Sequence, residues 1–168
     1  MTTVSITQAF ADKAAQAPDR VSITCGDQSV TRAELESRTN RLARAYANLG
    51  VSQGRYVTVA LPNSVEFFEA VVAIWKLGAT PQPVSYRLPD RERQAIVELA
   101  DAALVVGVSS QAHPTRTTVP QNFEPDPKLK QFPLMIADSS KEHWRLWMLK
   151  KYGLPYLYWN KMMKGIEV

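Results

Sequence analysis

The last thirty residues combine aromatic rings with lysines, a pairing that could bind nucleic acid or a membrane surface. Trp144, Trp147 and Trp159 are interleaved with Lys150 and Lys151. Such rings can stack on unpaired bases while the ammonium groups neutralise phosphates. The same residues can place rings at a bilayer interface with the lysines toward anionic headgroups. These five residues are the candidate partner-binding residues of the chain.

Two other interpretations of the same segment stay open. The rings could cover apolar surface of the preceding domain, which would stabilise it by ~2–3 kcal/mol for each large ring buried. The segment could also derive from a fusion or rearrangement and have no selected role. The composition favours surface covering, then a membrane surface, and gives no strong nucleic-acid signal.

Few other residues have the types and spacing that chemistry requires. Glu66 and Glu69 lie three apart, as a catalytic carboxylate pair could, but this spacing is also typical of the solvated face of an amphipathic helix. His113 and His143 are the only histidines, and neither has the neighbouring ligands of a zinc site. The nucleophile turn Gly-x-Ser-x-Gly is absent. The sequence therefore predicts no catalytic, cofactor-binding or metal-ligating residue.

The elements of the first third follow from apolar periodicity and turn residues. Residues 7–17 have the pattern of a short helix, and residues 21–25 and 29–31 alternate as a hairpin does. Thr31 and Glu34 have the spacing of a reciprocal cap, which predicts a helix over 32–49.

The middle of the chain is organised around one strand–helix–strand crossover, residues 56–84. A β-branched strand ends at Leu61, Asn63 or Ser64 can cap the following helix, and Gly78 can close it. We expect the apolar face toward the sheet to include Phe68 and Trp75. A second helix and a third strand follow to residue 107, so the order βαβαβ predicts an open, mainly parallel sheet with flanking helices.

Composition predicts where this domain ends. Up to residue 127 the chain has 12 Lys plus Arg against 13 Asp plus Glu, and from residue 128 onward it has 8 against 3. We expect an α/β region over 1–112, a Pro/Thr-rich linker over 113–138 and a helical tail over 139–168. The single cysteine, Cys25, and the lack of a secretory or membrane-spanning segment favour the cytoplasm.

Five segments resemble the N-terminal region of the adenylate-forming superfamily. They are APDRV at 17–21, TRAELESRTNRLA at 31–43, LGVSQG at 49–54, VTVALPNS at 57–64 and WKLGAT at 75–80. Within that superfamily, PQPV at 81–84 and the helix and strand of residues 89–107 look most like bacterial fatty-acyl and steroid-acid CoA ligases. The resemblance covers residues 5–127 and implies the partial N-terminal subdomain of an acyl-CoA synthetase.

The resemblance implies ATP, magnesium and CoA as cofactors of the complete enzyme, but none for this chain alone. A Ser/Thr/Gly-rich loop ending in Lys, which would hold the ATP phosphates with backbone amides, does not occur in the sequence. We therefore expect a truncated or rearranged fragment that is inactive alone, with the remainder of a synthetase as its partner in a second chain. The alternative is an interaction module whose tail binds a protein, a membrane or nucleic acid.

Overall fold

The computed structural model describes residues 5–129. This part of the chain contains six strands and four helices. The elements are α1 (Ile6–Gln16), β1 (Val21–Cys25), β2 (Gln28–Thr31), α2 (Arg32–Asn48), β3 (Tyr56–Val59), α3 (Val65–Lys76), β4 (Thr80–Pro83), α4 (Asp90–Leu99), β5 (Leu104–Val106) and β6 (Thr118–Val119).

The predicted hairpin and the helix that follows it are confirmed. Strands β1 and β2 pair antiparallel. The hydroxyl of Thr31 accepts a hydrogen bond from the Glu34 amide at 3.2 Å, and the Glu34 carboxylate accepts one from the Thr31 amide at 2.8 Å. This backbone hydrogen bond lowers the pKa of Glu34. The reciprocal cap fixes the start of α2. This helix buries Leu42 and Tyr46 in the main core, which is the apolar cluster between the parallel sheet and helices α2 and α3.

The crossover is also confirmed. Strands β3 and β4 pair in parallel, with Val57 opposite Pro81. Ser64 is the residue that caps α3, because its hydroxyl accepts from the Phe67 amide at 3.3 Å. At the other end Gly78 has a φ of +66°, a left-handed conformation that glycine adopts at low cost.

The main sheet has four strands in the order β4-β3-β5-β6, all parallel. Strand β6 lies in the segment for which the sequence predicts a linker, and it pairs with β5. Phe123, further along that segment, stacks on Tyr46 with ring centroids 6.3 Å apart. The segment therefore contributes a strand and an aromatic ring to the domain, at least as far as residue 123.

The face of α3 that packs on the sheet is not the one predicted from the sequence. Phe68 is 48% exposed, and the residues of this helix in the main core are Ala70, Ala73 and Ile74, with Phe67 packed against them. The predicted stripe is rotated by about one residue, or ~100°, around the helix axis. Val65, Phe67 and Phe68 place apolar side chains on more than one face of the first turn of α3, so apolar periodicity alone does not distinguish the two faces.

The α/β class, the small parallel sheet and the flanking helices are thus confirmed. Helices α2 and α3 pack on one face of the sheet through the main core, while α4 covers the other face through Val97. The predicted helical C-terminal segment lies outside the described residues. None of the helices in residues 5–129 is long and apolar enough to cross a bilayer.

Candidate functional site

The carboxyl ends of β3 and β5 are where an open parallel sheet would hold a ligand, because the chain leaves β3 for β4 on one side and returns to β5 on the other. At this edge the chain segments that follow β3 and β5 are in contact. Gly107 has a φ of +94°, and a Cβ on it would lie 2.5 Å from the carbonyl oxygen of Ala60 and 2.9 Å from Leu61 Cδ2. The ends of β3 and β5 are therefore packed closely enough that only glycine fits at position 107.

The helix N-termini at the same edge are poorly suited to phosphate. Ser64 already accepts from an amide of α3, and Glu66 places a carboxylate in its first turn. Helix α4 begins with Asp90 and Glu92 in its first turn. Carboxylates at these positions neutralise the positive end of the helix and repel an anion.

Neither helix N-terminus at this edge therefore offers an uncompensated positive end to a phosphate. Within residues 5–129, no three His, Cys, Asp or Glu side chains come together as metal ligands would. No step of an ATP-dependent reaction can be assigned to these residues.

A buried polar cluster lies between α2 and α3. The ammonium group of Lys76 donates to Glu36 Oε1 at 2.7 Å and to Asn40 Oδ1 at 2.8 Å. The amide nitrogen of Asn40 also donates to Glu36 Oε1, at 3.1 Å. The side chain of Lys76 is only 5% exposed and that of Glu36 is 15% exposed. The cluster therefore joins the two helices by an ion pair that is largely removed from water.

Burial dominates the electrostatics of this cluster. Desolvation lowers the pKa of Lys76, although the Glu36 carboxylate opposes that shift. Glu36 Oε2 is buried and has no hydrogen-bond partner in the described part of the chain. The sequence analysis missed this cluster, although a lysine near the end of an otherwise apolar helix and a carboxylate on the apolar side of α2 were available signals.

A second polar cluster joins α4 to the loop before β6. His113 is 2% exposed, and its Nε2 accepts a hydrogen bond from Arg93 Nε at 3.1 Å. The same guanidinium donates to the Leu88 carbonyl and pairs with Asp90. Burial, followed by the charge of Arg93, lowers the pKa of His113. The arrangement is a structural clamp on a neutral imidazole.

The carboxylates of Glu66 and Glu69 do not act as a pair. Glu66 is exposed, while the Glu69 side chain is 14% exposed and forms an ion pair with Arg38 at 3.3 Å. Burial raises the pKa of Glu69, and Arg38 opposes the rise. The solvated-face interpretation therefore holds for Glu66 but not for Glu69. Cys25 is half-buried and free.

The predicted partner-binding residues Trp144, Trp147, Lys150, Lys151 and Trp159 all lie outside the described residues. Their role in binding stays a prediction.

Comparison with known proteins identifies the family. Residues 10–151 match the family described as AMP-binding enzyme. The chain belongs to this family. The match extends past residue 127, where the sequence resemblance was expected to end, so the family similarity includes part of the Lys/Trp-rich tail.

Two AMP-binding relatives differ in the acid that their names specify. The chain is 40% identical over 98 residues to the 2,3-dihydroxybenzoate-AMP ligase of Bacillus subtilis, and this alignment covers 56% of this chain and 18% of the ligase. It is 30% identical over 128 residues to the medium/long-chain-fatty-acid–CoA/3-oxocholest-4-en-26-oate–CoA ligase of Mycobacterium marinum. That alignment covers 76% of this chain and 22% of the ligase. The chain thus spans about a fifth of the length of these relatives.

A solved AMP-binding structure shows the same fold. The N-terminal subdomain of Klebsiella oxytoca NpsA, in complex with 3-hydroxybenzoyl-AMSN, superposes with a TM-score of 0.63 at 21% identity. The superposition covers 70% of this chain and 30% of that one. The small parallel sheet and its helices are therefore those of an N-terminal subdomain of this family.

Proposed function

We propose that this chain is a scaffold part of an ATP-dependent ligase that activates a carboxylic acid, and that it does not form an adenylate alone. The observation that carries the proposal is the carboxyl edge of the sheet. The fold is that of the family, but Gly107 packs tightly against Ala60 and acidic residues occupy both helix N-termini there. Groups that hold ATP, magnesium and CoA must then come from outside residues 5–129.

In this proposal the scaffold formed by residues 5–129 has a defined task. The ion pair of Lys76 and Glu36 holds α3 against α2, and Gly107 packs against Ala60 where β5 and β3 end. A fixed sheet can hold the residues that follow it at constant positions, which catalysis by orientation requires.

Fatty or related carboxylic acids are the substrates that we propose, with CoA as acceptor. The longer of the two alignments, with the mycobacterial CoA ligase, supports this substrate class. The higher identity to the 2,3-dihydroxybenzoate-AMP ligase supports an aryl acid as the second candidate. Both substrates share the carboxylate that would be activated.

The test measures acid-dependent exchange of pyrophosphate into ATP. The purified chain is assayed alone and together with a second polypeptide, the mycobacterial ligase lacking the region that aligns with this chain. We expect background exchange from either polypeptide alone and acid-dependent exchange from the two together. Stimulation by octanoate or by 2,3-dihydroxybenzoate then distinguishes the two substrate classes.

Two results would count against the proposal. Exchange catalysed by the purified chain alone would show that it is more than a scaffold. Failure of the combined polypeptides to exceed background, with both shown to be folded, would refute the role as partner of a separate remainder. The same assay with K128Q, which changes an exposed lysine beyond the core, is the matched control.

A further inference from the structure

A cavity lies where α1, β1, α2 and α3 meet, away from the edge of the main sheet. Its volume is about 280 Å³, slightly below the range of ~300–1,000 Å³ that is usual for small-molecule sites. None of its lining residues belongs to the loops at the carboxyl ends of β3, β4 or β5. Most of the wall is apolar and is formed by Ile6, Ala9, Phe10, Leu35 and Val72.

Two cations at this cavity lack acidic partners. Lys13 Nζ donates to the neutral Gln16 side chain at 3.4 Å, and Arg32 Nη1 donates to the Lys13 carbonyl at 3.5 Å. Both contacts are long, and in residues 5–129 neither cation forms an ion pair with a carboxylate. Their charge is therefore available to a ligand.

The one carboxylate in the lining, Glu36, is already engaged. Its Oε1 accepts hydrogen bonds from Lys76 and Asn40, so the negative charge is compensated within the protein. Its Oε2 is enclosed and cannot be reached without movement of the wall. The accessible charge at the cavity is thus the positive charge of Lys13 and Arg32.

We infer that this cavity binds a small amphipathic monocarboxylate, with its apolar body against Phe10, Leu35 and Val72 and its carboxylate at Lys13 and Arg32. Apolar walls stabilise the body by removing it from water. Two unpaired cations on adjacent helices are complementary to a single anionic head. Octanoate has an apolar body and an anionic head of this kind and serves as the probe ligand. The site is separate from the proposed scaffold role, and either can fail without the other.

The experiment is a titration of the isotope-labelled full chain, followed by amide NMR shifts. Octanoate, octanol and octylammonium share one apolar chain and differ in the charge of the head. We expect octanoate to shift the amides of Ala9, Ser22 and Leu35, and to bind about tenfold more tightly than octanol, since two partly exposed ion pairs contribute roughly that factor. Octylammonium is expected to bind more weakly than octanol.

Variants test separately the positive charge at the cavity and the space inside it. The double variant K13Q/R32Q should remove the preference for octanoate over octanol, and A9F should fill the cavity and weaken all three ligands. The matched control R38Q removes an arginine of α2 that pairs with Glu69 instead, and it should leave octanoate binding unchanged. Circular dichroism establishes that each variant is folded.

Three outcomes would overturn the inference. They are binding of octylammonium as tightly as octanoate, octanoate shifts that lie outside the cavity lining, and no saturable octanoate shift at all. Since none of these measurements involves ATP, they leave the proposed scaffold role untouched.

Discussion

Replacing Lys76 with methionine should destabilise the domain far more than removal of a comparable exposed charge. Methionine keeps the length and helix propensity of the side chain but removes the ammonium group. The variant K76M removes the ammonium group that donates to Glu36 Oε1 and to Asn40 Oδ1. The other oxygen of Glu36 is buried without a hydrogen-bond partner in residues 5–129, and Arg44 is a second cation whose charge acts on the cluster.

The magnitude follows from burial. Breaking a buried ion pair by removing one partner typically costs 3–5 kcal/mol. Because the Glu36 side chain is still 15% exposed, we expect K76M to lose about 2–4 kcal/mol of unfolding free energy.

The assay is urea denaturation followed by circular dichroism, with a double-mutant cycle. The double variant E36Q/K76M removes both charges and should be more stable than the sum of the single effects predicts, by about 2 kcal/mol. The matched control is R38M, which breaks an ion pair between the same two helices. Its arginine is 45% exposed, so a loss of under ~1 kcal/mol is expected.

The pH dependence has a defined sign. Burial lowers the pKa of Lys76, so the natural chain should gain stability as the pH rises toward the reference lysine pKa of ~10.4, and K76M should lack that gain. The account is refuted if K76M costs no more than R38M, or if the E36Q and K76M effects are additive.

Three further predictions concern the clamp, the sheet edge and the tail. G107A should lose ~3 kcal/mol or more in urea denaturation, since its Cβ would meet the Ala60 carbonyl, whereas the control G26A has no atom within 4 Å and should lose only ~1 kcal/mol. His113 is buried as the neutral form and its pKa is lowered, so its contribution is present above ~pH 6.5 and is lost as the pH falls through its folded pKa; H113Q should flatten that slope. Removing residues 139–168 should abolish any salt-sensitive binding to anionic vesicles, while unchanged binding would exclude the tail as the contact.

Local signals predicted much of the fold. The Thr31–Glu34 cap, Ser64 at the start of α3 and Gly78 at its end each depend on residues within a few positions of one another. Such contacts are readable because the geometry is set by the backbone of one turn. The β-branched runs at β3 and β5 are equally local, so the order of strands and helices followed.

Long-range contacts explain what the sequence did not predict. Strand β6 has two residues and no period of its own, and it exists because β5 offers a partner. Lys76 and Glu36 are 40 positions apart and meet only when α2 packs on α3. The cavity walls likewise come from four elements, and no single segment carries the signal of a site.

Equilibrium binding of magnesium–ATP to the purified chain tests the central claim most directly. With Gly107 against Ala60, and with acidic residues at both helix N-termini, the account predicts no saturable heat in isothermal titration calorimetry. Saturable binding below ~1 mM, accompanied by amide shifts in the loops that follow β3 and β5, would contradict it.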